Sequence, residues 1–318
     1  MNTIKSNAHM RCENCDHDQF SLLFSGSDKL LGIAGNFDVL ECQNCGLYLI
    51  DPKLNSQQME KYYPDEYICY LEAIEDERNP LTRFNRYLGQ RKRSLQVARR
   101  VKNPGKILDI GCATGIFLNE MQKRGWECQG VEPDQTAVDY ARRRFGLDVY
   151  CGVVEDANLP AESFDVVTLW DVLEHVYDLN STMAEIKRVL KPGGVIIAIL
   201  PNANAFERYW FKEYWVGWEV PRHYRTFTPK TITDFLAKFG FEDIEIFSFT
   251  GRHGAFMLSI QFWLNSTDMA EWKKKTIMTV LGSFIVRMLT LPIFMLFEMF
   301  NRSTEMSFAA RKPAFVEK

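Results

Sequence analysis

The segment Lys106-Ile-Leu-Asp109-Ile-Gly111-Cys112-Ala113-Thr-Gly115 constrains this chain more than any other. An apolar run ends in an acid, two glycines follow within a few residues, and Phe117 and Leu118 then begin a helical pattern. That order describes a strand turning sharply into a helix, with glycine giving the backbone freedom to approach a ligand closely. Further apolar runs at Gly130 to Val131, Val166 to Trp170 and Val195 to Leu200 alternate with helical stretches at Asp134 to Phe145 and Ser181 to Leu190. Asp134 sits where a helix cap belongs, and Lys191-Pro-Gly-Gly194 reads as a stop. Strands separated by crossover helices imply an α/β fold with a doubly wound, mostly parallel sheet.

Two acids flank the glycine turn. A carboxylate at Asp109 repels a pyrophosphate but favours a cationic amino group in the same place. Glu132, in Gly130-Val-Glu132-Pro133 after the second strand, stands where an acidic side chain accepts hydrogen bonds from ribose hydroxyls. A ligand with ribose at one end and an ammonium at the other fits both acids better than a dinucleotide does.

On these residues the chain resembles the class I S-adenosylmethionine-dependent methyltransferases over roughly residues 100 to 250. Asp109 to Gly115 resembles the family's first motif and Val131-Glu-Pro133 its ribose-binding acid. Ser163-Phe-Asp-Val-Val167 resembles its fourth strand, and Leu190-Lys-Pro-Gly-Gly194 the lead into its fifth. Ala113 stands where the family often has a middle glycine. The resemblance implies a seven-stranded, Rossmann-like sheet with S-adenosylmethionine as cofactor. It also implies a contact set of Asp109, Gly111, Cys112, Ala113, Gly115, Glu132, Pro133 and Trp170, with Asp156 of the Glu155-Asp156 pair meeting the adenine amino group.

Four of the eight cysteines form two pairs of matched spacing, Cys12 with Cys15 and Cys42 with Cys45. Two residues between thiolates let both sulfurs of one turn reach a single tetrahedral ion, and two such turns close a structural four-thiolate zinc site. The competing reading is two pairs of ordinary thiols. This front end resembles the N-terminal four-cysteine zinc module carried by a subgroup of the same methyltransferases, which implies a zinc-ribbon-like unit over residues 1–70. Cys69, Cys112, Cys128 and Cys151 lack partner spacing and read as small core or loop residues. Tyr62 to Tyr67 reads as an aromatic turn.

Methyl transfer from a sulfonium is a displacement that needs mainly alignment, with a base as an aid. His175, after the fourth strand, and His223, in Val220-Pro-Arg222-His223-Tyr224, are the candidate bases. Each could equally be a structural histidine or a wall of the cofactor site. Arg222 could orient an acidic acceptor. The stretch 202–227 is long for a crossover and reads as a lid, with Tyr209, Trp210, Phe211, Tyr214, Trp215 and Trp218 as a wall for an apolar or sugar-ring acceptor. Ordinary packing under a long loop explains the same aromatics.

Between Pro80 and Lys106 there are nine basic residues and no acidic one, with Phe84, Leu88, Leu95 and Ala98 at helical spacing. This describes a basic amphipathic helix in a connector spanning residues 71–105. The methyltransferase domain is drawn at 106–265, and a hydrophobic helical tail at 266–318. In that tail Lys273-Lys-Lys275 precedes Thr276 to Phe297, where only Arg287 is charged. Arg287 and Pro292 argue against a simple span, and Trp272 with the lysines fits a headgroup-level anchor. A monotopic or hairpin-like insertion is therefore expected, with a hydrophobic partner or dimer surface as the alternative. The expected acceptor is a small or lipid-linked molecule, for example a saccharide intermediate at a membrane surface. With 38 basic against 41 acidic residues there is no global basic field, so nucleic acid is not an expected partner. The first ten residues lack the apolar core of a secretory signal, so a cytoplasmic location is expected, peripheral to the membrane if the tail inserts. The rival functions are an NAD(P)-dependent oxidoreductase on the same kind of sheet and a non-catalytic zinc adaptor with a vestigial pocket.

Overall fold

The computed structural model describes residues 3–5, 10–64, 73–249 and 253–314, so Tyr67 and Cys69 lie outside the described residues. In chain order the N-terminal module contributes β1 (Thr3–Lys5), β2 (Gln19–Gly26), β3 (Phe37–Cys42) and β4 (Tyr48–Asp51). Two helices follow, α1 (Ser56–Glu60) and α2 (Pro80–Arg100). The alternating region then runs β5 (Lys106–Ile110), α3 (Ile116–Gln122), β6 (Glu127–Glu132), α4 (Gln135–Phe145), β7 (Asp148–Cys151), β8 (Phe164–Trp170), α5 (Leu179–Val189) and β9 (Leu190–Pro201). Next come α6 (Phe206–Phe211), β10 (Arg225–Thr226), α7 (Pro229–Lys238) and β11 (Glu242–Phe247). The chain ends with α8 (His253–Asn265), α9 (Glu271–Leu281), α10 (Phe284–Met299) and β12 (Glu305–Arg311).

The seven-stranded sheet has the order β11-β12-β9-β8-β5-β6-β7. Strands β5 to β9 pair in parallel, and β11 and β12 join antiparallel. The order reverses on either side of β5, and that crevice is where ligands of open α/β sheets bind. Val97 of α2, Phe117, Leu118 and Met121 of α3, and Val138 and Ala141 of α4 fill one face. Met183, Ile186 and Val189 of α5 with Ile232, Phe235 and Leu236 of α7 fill the other. The Asp134 carboxylate accepts from the Ala137 amide at 2.7 Å, so α4 starts where its cap residue dictates.

Two boundaries differ from the sequence reading. Strand β12 comes from beyond the hydrophobic tail yet lies inside the sheet between β9 and β11, so a boundary at residue 265 cuts through the sheet. The N-terminal module is not separate either. Its five-stranded sheet, ordered β1-β2-β3-β4-β10, takes its last strand from the expected lid. Within 202–227, Trp215, Trp218, Tyr224 and Phe227 are buried, the first three against Phe37, Tyr48 and Tyr62 of the module and linker. Of its aromatics, Phe206, Tyr209 and Trp210 are exposed. The inner half of that stretch is therefore a cemented joint.

Helix α2 also turns a different face inward. Ser94, Gln96 and Val97 are buried, whereas Phe84, Leu95 and Ala98 are exposed. Its basic residues reach across the domain: Arg100 bonds Glu245 at 2.6 Å and Arg93 meets Asp171 at 3.4 Å.

Phe308 on β12 is fully buried, so Phe308→Ala should lower unfolding free energy by about 3–5 kcal/mol in urea titrations. Deletion of residues 300–318 should give no soluble folded protein, because β11 would be left unpaired and β9 would lose one of its two neighbours and become an open edge.

Candidate functional site

Three strand ends meet at the sheet's reversal point: the turn after β5, the last residue of β6, and the loop after β8. In the first turn Gly111, Ala113 and Gly115 all take left-handed backbone angles, with φ of +69°, +47° and +76°. Glycine at 115 is needed twice over, since a Cβ there would also meet Leu147 Cδ1 at 2.5 Å. Ala113 bears the side-chain cost of that conformation, which explains why glycine suits the position. Its amide donates to Glu132 Oε2 at 2.8 Å, and the Asp134 amide donates to Glu132 Oε1 at 3.0 Å. One buried carboxylate thus ties the β5 turn to the start of α4. Burial nevertheless raises the Glu132 pKa above the ordinary carboxylate value.

Asp109 is almost wholly buried and accepts a 2.6 Å hydrogen bond from the Thr168 hydroxyl. Burial pushes its pKa up to about 7, with Thr168 and Arg93 opposing and Glu132 adding to the rise. The charge that the sequence assigns to Asp109 is therefore incompletely developed at neutral pH. Cys112 is buried, its sulfur lying where a Cβ on Gly130 would be 2.6 Å away, so its side chain packs into the core. Pro133 remains exposed at the end of β6. Trp170 is buried edge-on to Phe117 at 5.0 Å, with Arg93 5.3 Å above its ring, and its indole N–H has no partner among the described residues. Glu155 is tied up by the Thr182 hydroxyl, whereas Asp156 stays exposed beside it.

The two candidate histidines, far apart in sequence, come together with ring centroids 4.6 Å apart. His175 Nδ1 is 3.1 Å from the Arg222 carbonyl and 2.9 Å from the Tyr63 hydroxyl. His223 Nδ1 is 2.9 Å from the Gly217 carbonyl. A carbonyl only accepts, so the contacts to Arg222 and Gly217 favour the Nδ1–H tautomer of both rings, and His223 Nε2 lies 3.7 Å from Glu219 Oε2. Burial and the neighbouring His223 push the His175 pKa down to about 3, and burial lowers that of His223, so both rings are neutral. Glu174 joins them, buried to 1% exposure, with Oε2 unpartnered among the described residues and its pKa well above normal through burial. Ligand atoms from Glu174, His175 and His223 lie within 4.8 Å of one another, a donor set that could hold one divalent cation.

Arg222 is not placed to orient a substrate. Its side chain is fully buried and bonded to Asp28, Glu219 and the Tyr62 carbonyl. Sequence reasoning does not single out Arg93, Tyr63, Glu174 or Asp28 as site residues. For Arg93 the available signal is the basic helix; for Glu174, its place beside His175.

The four module cysteines do converge. Cys12 and Cys45 sulfurs are 3.5 Å apart and those of Cys15 and Cys42 3.6 Å, close to the edge of a tetrahedron with bonds of about 2.3 Å. Amides of Cys15 and Asn14 hydrogen-bond Cys12, and those of Cys45 and Asn44 hydrogen-bond Cys42, the matched turns of a metal knuckle. Asp16 and Gly46, each following the second cysteine of its pair, share a left-handed conformation.

The profile of the methyltransferase domain family matches residues 81–246, more than half of the chain. This chain belongs to the methyltransferase domain family. The match covers the β5 turn, Glu132, Trp170 and both histidines. A ubiquinone biosynthesis O-methyltransferase from a Bradyrhizobium species is 31% identical over 104 residues, covering 31% of this chain and 41% of the relative. One from Idiomarina loihiensis is 31% identical over 156 residues, covering 44% and 63%. The chain thus spans about two fifths of the length of the Bradyrhizobium relative. A solved S-adenosylmethionine-dependent methyltransferase from Archaeoglobus fulgidus is 20% identical, with a TM-score of 0.49 over 71% of this chain and 94% of its own.

For this methyltransferase-family domain, Asp109 makes the stability pH-dependent. Its folded-state pKa of about 7 lies above the unfolded value. Its favourable protonation is complete below about pH 4 and is lost as pH rises through 7. Asp109→Asn should therefore remove this slope and, without ligand, be more stable than the native chain at pH 8 by about 2–4 kcal/mol in denaturant titrations.

Proposed function

We propose that this protein transfers the methyl group of S-adenosylmethionine to the hydroxyl of a small-molecule acceptor. The observation that carries the reading is the placement of two buried acids, Asp109 and Glu132, around the left-handed turn after β5 within the matched family region. Glu132 uses one lone pair of each oxygen on backbone amides and keeps the others for ribose hydroxyls. Asp109 sits where an ammonium would draw out its charge, while a diphosphate would meet two carboxylates. That weighs against the oxidoreductase alternative. Trp170, Gly111, Gly115 and the exposed Asp156 complete the adenosyl side.

Bound S-adenosylmethionine supplies an activated methyl group, so the chain's own task is alignment and proton removal. Both imidazoles are neutral, so each can accept a hydrogen bond from the acceptor's hydroxyl; burial lowers both pKa values, so the rings pass the released proton on to solvent and do not hold it. The relatives are O-methyltransferases by name, which favours oxygen as the receiving atom. In the N-terminal module the four converging thiols fit structural Zn2+.

Calorimetry of purified protein should show S-adenosylhomocysteine binding with proton uptake or release that changes across pH 7, and no binding of NAD. Elemental analysis of the same sample should find one zinc per chain. NAD binding in place of S-adenosylhomocysteine would overturn the reading, and turnover of labelled S-adenosylmethionine with cell extract separates an enzyme from a binding adaptor.

The acceptor is further proposed to be lipid-borne, with a lipid-linked saccharide as the favoured form, presented at the cytoplasmic face of a membrane. Among the described residues no single helix is long and apolar enough to cross a membrane, but α9 and α10 form a bent apolar pair with a 64° angle. Phe284, Ile285, Met288, Leu289 and Met299 are all exposed on it. From Lys273 to Phe297 the segment carries basic residues and no acidic one, which complements anionic headgroups. Phe297 packs against Phe206 and Trp210 of the 202–227 stretch, so this apolar face runs on to α6.

In flotation assays full-length protein should rise with vesicles containing anionic lipid, and a Phe284→Ser, Ile285→Ser, Leu289→Ser variant should stay in the soluble fraction. Native protein left with the soluble fraction would remove the membrane reading. Substitution is preferable to truncation here, because removing the tail also removes β12.

A further inference from the structure

The loop between β2 and β3 sends one acid into the catalytic domain. Asp28 has no exposed side-chain surface, although it belongs to the N-terminal module. Its Oδ1 accepts from the Leu30 and Leu31 amides, which fixes the carboxylate to its own loop. Both oxygens then accept from the Arg222 guanidinium, at 2.6 Å and 3.2 Å. Arg222 also donates to the Tyr62 carbonyl at 3.0 Å and to Glu219 at 2.8 Å. One guanidinium therefore joins the module, the linker before α2 and the segment leading into β10.

The backbone of the same arginine reaches the reaction side. The Arg222 carbonyl accepts from His175 Nδ1 at 3.1 Å. The next residue is His223, whose ring touches that of His175. Tyr63, which follows the Tyr62 held by Arg222, lies 2.9 Å from the same His175 nitrogen. A carbonyl on a fixed backbone selects the Nδ1–H tautomer and leaves Nε2 with its lone pair. Arg222 is buried and multiply bonded, so it has little freedom to shift unless one of its carboxylate partners is lost.

We propose that Asp28 is a positioning residue for methyl transfer, acting through Arg222 to fix the ring orientation and tautomer of His175 and the place of His223. This assignment rests on the methyl-transfer reading. The module then contributes more than stability, because it holds the proton acceptor in its reactive form from outside the cofactor domain. Nothing in the chain of contacts involves the acids of the β5 turn, so cofactor affinity and histidine geometry are separable.

The test is a long-range 15N–1H NMR spectrum of the histidine side chains in the full-length, zinc-loaded protein. Native His175 should show a single Nδ1–H tautomer. Asp28→Asn, which keeps the shape but removes the charge, should give a tautomer mixture at His175, and Asp28→Glu should restore part of the native signal. Arg222→Lys should disturb His175 in the same way, and it serves as the second variant if Asp28→Asn does not fold. S-adenosylhomocysteine affinity should stay within about twofold of native in each folded variant, while turnover with labelled cofactor falls at least tenfold with KM for the cofactor unchanged. A native spectrum showing Nε2–H on His175 overturns the proposal without any variant, and so does a folded Asp28→Asn protein with an unaltered His175 signal. Loss of S-adenosylhomocysteine binding by the native protein would instead overturn the methyl-transfer reading.

Discussion

The Glu132 carboxylate is the interaction on which the site depends. It accepts from the Ala113 amide in the turn after β5 and from the Asp134 amide at the start of α4, so two crossovers share one anchor. The turn itself is costly, with Gly111, Ala113 and Gly115 all in the left-handed region and one of them an alanine. A buried acid with two amide donors offsets that cost and keeps the turn open for a ligand. Sheet topology puts the anchor in the right place, because β5 and β6 are parallel neighbours with Ile110 opposite Val131.

A second constraint lies in two buried arginines. Arg222 and Arg225 both have side chains without exposed surface, and each is satisfied by an acid of the N-terminal module, Asp28 and Glu13 respectively. Arg225 also donates to the Leu173 and Val176 carbonyls in the loop that carries His175. Burying a guanidinium is unfavourable unless nearly every donor is met, so these pairs fix how the module sits more than they add to net stability. The module sheet takes β10 as its last strand, which makes the same joint continuous through backbone hydrogen bonds. The result is a histidine-bearing loop held between two sheets.

Much of this is legible in the residue pattern. The β5 turn, Glu132 and the Asp134 cap are local signals, since each depends on the conformational preference of a few adjacent residues. The two cysteine pairs are also local in spacing. Helix α2 is legible as an element but not in its orientation, because Phe84 and Leu95 look like an inward face until the domain shows Ser94 and Val97 buried instead. Asp109 is legible as an acid at a strand end, while the rise of its pKa to about 7 depends on how deeply the surrounding strands bury it.

The sequence alone determined the alternation of strands and helices, the turn built for close approach, and the two cysteine knuckles, because periodicity and backbone preference act over a few residues. Only tertiary structure decided that β12 returns past the apolar helices to complete the sheet, that the aromatic stretch before β10 is mostly a buried joint, and that Arg222 serves the fold. It also decided that Glu174, His175 and His223 share one place. Those outcomes come from pairing and charge burial between segments up to about two hundred residues apart, and such contacts leave no periodic trace along the chain.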